Sequence, residues 1–212
     1  MERATVKEAK HIFRDNFIGI EKIIPFFKKI GITENSLKHF EIPNIPYSVK
    51  ELESYSKDYI LILGIGQIQE FSISIRFLRD KLGFNPELSE PCFYNQDWYL
   101  KEDFVDNTLQ NKWYLIQKKV FEDSRAVQPA QLLEKGIRFP SAILCTYTFF
   151  AYYFSNQLIL WEYDFVWCSD TDHNNDRIYV GKYRDIDGVN KNGFSVHRHL
   201  ALRNCYSAIN IL

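Results

Sequence analysis

The chain has 212 residues, with 26 Lys and Arg against 27 Asp and Glu, and it is 46% hydrophobic and 16% aromatic. That apolar content excludes an intrinsically disordered chain and suits a single folded domain over residues 1–212. A net charge of −1 excludes a generally basic nucleic-acid coat and leaves only local patches of charge.

The first third, residues 1–57, reads as helical. It opens on a polar stretch of mixed charge, without the apolar segment of a secretory signal. Val6, Ala9, Ile12 and Phe13 then recur at helical spacing, with Glu8, Lys10 and Arg14 between them. Asn16-Phe17-Ile18-Gly19 breaks that helix. A second begins near Ile20, carries Ile23, Ile24, Phe26, Phe27 and Ile30, and stops at Gly31, a residue type suited to a helix end. Thr33-Glu34-Asn35-Ser36 caps a short third helix. Pro43 and Pro46 force an extended linker, because the residue before a proline avoids the helical region. Ser48 with Glu51 three residues later forms a capping box.

Tyr59-Ile60-Leu61-Ile62-Leu63, closed by Gly64, predicts a central strand buried on both faces. Gly64-Ile65-Gly66 sits where a phosphate loop would. Position 69 is Gln, however, and no Gly-Lys-Ser/Thr follows, so the segment reads as a tight turn. A helix is expected over Ser72–Leu82, with Ile75, Leu78, Arg79 and Leu82 on one face. Residues 85–110 read as irregular, and Trp113-Tyr114-Leu115-Ile116 as a second strand.

From Phe139 to Trp161 no residue is charged, a stretch long enough to span a bilayer. Ser155-Asn156-Gln157 interrupts it. The expected structure is a buried helix from Pro140 to about Phe154, a turn, and a strand beginning near Leu158, with no membrane involved. Residues 158–200 are strand-rich, with strands over Tyr163–Ser169, Arg177–Arg184 and Phe194–His199. Asp172-His173-Asn174-Asn175-Asp176 and Asp185-Ile186-Asp187-Gly188 supply the turns between them. Helices first, then a mixture, then strands argue an α+β fold. N-terminal helices and one long buried helix pack on a mixed or antiparallel sheet.

Cys92, Cys145, Cys168 and Cys205 form no CxxC pair and read as free thiols in a reducing compartment, the cytoplasm. Two clusters carry candidate chemistry. Asp170, Asp172, Asn174 and Asp176 match the first half of a calcium loop, with oxygen ligands at alternate positions. The bidentate Glu that would close such a loop is Gly181 here. The cluster therefore reads as an Asx-rich hairpin turn, or as a weak divalent-cation site. His197 and His199 share one face of their strand, with Arg198 on the other, and two such imidazoles can share a metal. Charge is also uneven. Residues 85–110 hold six acids, among them Glu90, Glu102 and Asp106, whereas residues 177–203 hold six bases interleaved with aromatics. The two segments either face one another or leave a basic strip for single-stranded nucleic acid.

Asn16-Phe17-Ile18-Gly19, Ile45-Pro46-Tyr47, Tyr59-Ile60-Leu61, Asp97-Trp98-Tyr99, Trp113-Tyr114-Leu115-Ile116, Asp123-Ser124, Cys168-Ser169-Asp170 and Tyr179-Val180-Gly181 follow in a recognisable order. Together they resemble a family of uncharacterised bacterial proteins of similar length. The resemblance implies a single bacterial or phage-borne domain and brings no activity with it. The Asp turn near residue 170 fits that family, while His-Arg-His in the last strand departs from it.

The function expected first is a soluble, non-catalytic binding or interaction protein, with a protein partner ahead of nucleic acid and no cofactor. The alternative is a metal-dependent hydrolase, a nuclease among the choices, built from Asp170, Asp172, Asp176, His197 and His199. That chemistry needs the carboxylates and imidazoles to converge, because a shared metal must activate a water.

Overall fold

The computed structural model describes residues 2–182, 193–199 and 201–212. Its architecture is α+β, with mixed and antiparallel sheets. Helix α1 (Val6–Phe13) starts in a capping box, in which the Thr5 hydroxyl accepts from the Glu8 N–H and the Glu8 carboxylate accepts from the Thr5 N–H. The next segment, expected only to break the helix, contains strand β1 (Phe17–Ile18). Helices α2 (Ile20–Lys29) and α3 (Glu34–Leu37) follow, then the proline linker. The Ser48–Glu51 box opens α4 (Val49–Tyr55).

The apolar run forms β2 (Tyr59–Gly64). After it comes a hairpin, β3 (Gln67–Ile68) and β4 (Phe71–Ser72), where a helix start was expected. Helix α5 (Ile75–Leu82) begins only where the Ser74 hydroxyl accepts from the Phe77 N–H at 3.2 Å. A Cβ on Gly66 would lie 1.7 Å from the Leu109 carbonyl oxygen, so this glycine serves a close backbone approach. Strand β5 (Lys112–Gln117) and a short helix α6 (Pro129–Glu134) precede α7 (Ala142–Asn156).

Residues 158–164 are not a strand, contrary to the expected start near Leu158. Trp161 and Tyr163 take positive φ values of 50° and 71°, which no strand accommodates. Strand β6 runs Phe165–Thr171, β7 Arg177–Gly181, β8 Ser195–Arg198 and β9 Tyr206–Ser207. The expected Asp185–Gly188 turn and Arg184 lie outside the described residues.

The first sheet has the order β1-β2-β5, with β1 parallel and β5 antiparallel to β2. Strand β2 is central and is buried from Ile60 to Gly64, as its unbroken apolar run requires. The second sheet has the order β8-β7-β6-β9. Strands β6, β7 and β8 are antiparallel neighbours, and β9 is parallel to β6. Residues 92–94 lie alongside its β8 end. Tyr94 N–H donates to the Phe194 carbonyl at 2.8 Å, Phe194 N–H to the Cys92 carbonyl at 2.7 Å, and the Trp98 indole N–H to the Val196 carbonyl at 3.1 Å.

Helix α7 is buried from Ala142 to Tyr152, and a helix apolar on nearly all sides requires such cover. It packs on α2 and touches both sheets. Among the described residues no helix is long and apolar enough to cross a membrane. Alternation gives the second sheet two different faces. Val166, Val180 and Val196 stand opposite one another and share the main core with α7. Trp167, Tyr179 and His197 stand opposite one another on the outer face, where Phe165, Trp167, Tyr179 and Tyr206 pack with Leu132 and Phe139.

Candidate functional site

The Asp170–Asp176 segment joins β6 to β7. Asp170 has the parity of Val166 and Cys168, so it points to the α7 side. Its carboxylate accepts from the Ala142 N–H at 2.6 Å, in the first turn of α7, where negative charge is favoured. Burial raises the Asp170 pKa, and the Ala142 N–H opposes that rise. The Asp172 side chain is fully buried. Its Oδ1 accepts from the Asn174 and Asp176 N–H groups, both at 2.9 Å, and its Oδ2 from Arg198 at 3.2 Å. Burial alone would raise the Asp172 pKa; the two N–H donors and the guanidinium overcome it and hold the carboxyl below its usual range. Asn174 and Asp176 enter the turn through their backbone. Asn175 takes the left-handed conformation at φ 64°.

A residue from the acidic segment closes the turn. Glu102, buried, accepts from His173 twice, from the backbone N–H at 2.9 Å and from Nδ1 at 2.7 Å. The other ring nitrogen, Nε2, then accepts from Asn174 Nδ2 at 3.0 Å. Ligand atoms of Glu102, Asp172 and His173 lie within 4.8 Å of one another. Both Asp172 oxygens already accept N–H donors, however, and Arg198 sets a positive charge beside one of them. The arrangement acts as a clamp on the hairpin, tying it to the 102 turn and to β8.

His197 and His199 lie on the outer face of the sheet. Asp170, Asp172 and Arg198 lie toward its other side. Alternation therefore brings Arg198, not a histidine, to Asp172. Among the described residues, no group of three metal-ligating side chains includes His197 or His199. His199 Nε2 bonds to Gln128 Oε1 at 3.1 Å, and its ring lies 5.1 Å from Trp167. Among the described residues, neither the buried His199 Nδ1 nor the buried Trp167 Nε1 has a hydrogen-bond partner.

His197 borders a cavity of about 660 Å³ whose described wall includes Tyr94, Phe165, Tyr179, Ser195, His197, Arg203 and Tyr206. The volume falls in the range of small-molecule sites. Tyr179 stacks on His197 at 5.4 Å and 26°, and Phe165 meets the same imidazole edge-on at 5.3 Å. The Tyr179 and Tyr206 hydroxyls bond to one another at 2.8 Å. Burial, reinforced by the Arg203 charge, drives the His197 pKa down to about 4, so the imidazole is neutral at neutral pH. No carboxylate among the described residues pairs with Arg203.

The acidic and basic segments meet in part. Lys182 bonds to Glu90 at 2.6 Å, whereas Asp106 pairs with Arg76 of α5. Arg177 donates to the Cys168 and Ser169 carbonyls. Three of the six bases, Arg177, Lys182 and Arg198, are thus engaged within the fold, while Arg184 and Lys191 lie outside the described residues. Sequence reasoning counted Glu102 only as one acid among six and gave Arg203 no separate role. No local spacing marks either, because their partners lie far away in the chain. Comparison with family models, with curated proteins and with solved structures finds no match for this chain.

Proposed function

We propose that this protein is a non-catalytic binding protein and that the cavity beside β8 is its recognition site. One contrast carries this reading. The Asp170, Asp172 and Glu102 carboxylates and the His173 imidazole are spent on the α7 cap and the hairpin clamp, whereas the cavity presents aromatic rings, the neutral His197 imidazole and a guanidinium, Arg203, that pairs with no carboxylate among the described residues. Aromatic walls with a few convergent polar groups are how small ligand sites obtain both affinity and orientation. The occupant this chemistry favours is a planar aromatic group with a negatively charged substituent, stacked near Tyr179 and His197 and paired with Arg203. Such a group belongs equally to a free small molecule and to a side chain of a protein partner. The four free thiols support a reducing, cytoplasmic setting.

Calorimetric titration with 2-naphthoate tests the reading. Binding is expected to weaken about fivefold or more in His197→Ala and Arg203→Ala. If naphthoate does not bind, or binds the variants as well as the wild type, the site is lost. A second reading, metal-dependent hydrolysis, has the proximity of Glu102, Asp172 and His173 in its favour. Titration with calcium and with manganese addresses it: tight binding that disappears in Glu102→Gln and Asp172→Asn would bring that reading forward.

A further inference from the structure

Apart from the cavity beside β8, α1, the β1–α2 turn and β5 enclose a smaller groove of about 160 Å³. Its floor is apolar. Phe17 and Trp113 are buried with ring centroids 5.1 Å apart, and Val6 and Ile42 line the opening while each remains 40% exposed. Its rim is basic, with Lys10, Arg14 and Lys22 set around the single acid Glu21. Two of the three cations are engaged. Lys10 pairs with Glu21, and Lys22 donates to Asp15 and to Asn156 Oδ1. The Arg14 guanidinium has no hydrogen bond or ion pair among the described residues.

Arg14 is unusual in its backbone as well. It ends α1 at φ 51° and ψ −115°, a conformation that a side chain strains and that glycine carries freely. A glycine would make the turn more easily, so the arginine side chain supplies something the turn itself does not need. An observed strain of this kind points toward function. Gly19 starts α2 without a side-chain cap, so the helix adds a partial positive charge to the same rim.

We propose that this groove binds a short aliphatic chain ending in a carboxylate, with its methylenes against Phe17, Ile20 and Trp113 and its carboxylate on Arg14. Charge complementarity selects that occupant. A purely apolar ligand leaves Arg14 unpaired, and a hydrophilic anion leaves Val6 and Ile42 exposed. At about 160 Å³ the groove has room for a short flexible chain, whereas the cavity of about 660 Å³ has room for a larger ring system. The two sites share no residue, so this inference is independent of the function proposed above.

Calorimetric titration with octanoate, repeated with 1-octanol, tests it on the intact chain. The wild type is expected to bind octanoate and to bind octanol at least about tenfold more weakly, the value of a charge-assisted hydrogen bond. Arg14→Gly separates ligand from structure. It relieves the backbone, so the thermal midpoint should hold or rise, while octanoate affinity falls about tenfold or more. Val6→Trp, on the exposed lip, should fill the groove and abolish binding without touching the core. Absence of octanoate binding, equal binding of octanol, or an Arg14→Gly variant that binds like the wild type would each overturn the proposal. So would a dimer in sedimentation that Val6→Trp dissociates, since a second copy would then be the occupant.

Discussion

The two faces of the second sheet are made by the same strands and built for different ends. On the α7 side stand Val166, Val180 and Val196, three aliphatic residues without a polar atom in their side chains. Phe149, Phe150 and Phe194 back them, with Phe149 and Phe194 only 4.6 Å apart. On the outer side stand Trp167, Tyr179 and His197, each with a polar tip, and Tyr179 and His197 border a cavity. A period of two lets one strand serve both layers, since neighbouring residues never share a face. The inner face is a close-packed interior. The outer face keeps hydrogen-bonding groups and open space, which an interior built for stability avoids.

Truncation of the inner face should give the largest effect. Phe149→Ala or Phe150→Ala removes a fully buried ring and is expected to cost about 3–5 kcal/mol, read by urea unfolding. A cost below that of an ordinary surface change would abolish the distinction between the faces.

Next is a pH effect confined to the outer face. The folded His197 pKa of about 4 lies below the ordinary imidazole value, so the unfolded chain takes up a proton that the folded chain refuses. The stability this group contributes is complete above about pH 6.5, and it is lost as the pH falls toward 4. Discounted for partial exposure, the loss should be ~2 kcal/mol. His197→Phe keeps a ring in place and should flatten this part of the acid limb, measured as the difference between the two unfolding profiles. Parallel profiles for variant and wild type would mean that the imidazole is not buried.

The smallest effect belongs to the hydroxyl pair. Tyr206→Phe deletes one partner of the 2.8 Å bond to Tyr179 and should cost about 1 kcal/mol, with the cavity left intact. A cost near that of Phe149→Ala would mean that the outer face is as much a core as the inner one.

What could be read from the sequence follows the same physics. The Tyr59–Leu63 run, the Ser48–Glu51 box and the uncharged stretch ending at Ser155-Asn156-Gln157 are strong local signals, and each corresponds to an element of the fold. Strand β1 has two residues, too few for a period to register. It exists because Phe17 and Ile18 pair with Leu61 and Ile62, which lie more distant in the chain. The β3–β4 hairpin turns through Gln69 at φ 50°, a place where glycine would have announced it. At the site, the shared face of His197 and His199 was legible from alternation alone. What lies opposite them was not. The cavity wall is drawn from residues between Tyr94 and Tyr206, and the clamp on the Asp turn comes from Glu102, so only the closed fold brings these groups together.

The short segment 92–94 beside β8 has a consequence for the life of the molecule in a crowded solution. A sheet whose last strand shows unpaired N–H and C=O groups is a template on which another chain can add. Here Cys92 and Tyr94 occupy the N–H and carbonyl of Phe194, and the Trp98 indole occupies the carbonyl of Val196. The start of the strand that borders the cavity is thereby covered against a neighbour's backbone. Any event that peels this segment away, whether heat, proteolysis within residues 85–97 or loss of the Lys182–Glu90 bridge, uncovers those groups and offers them to the backbone of another chain.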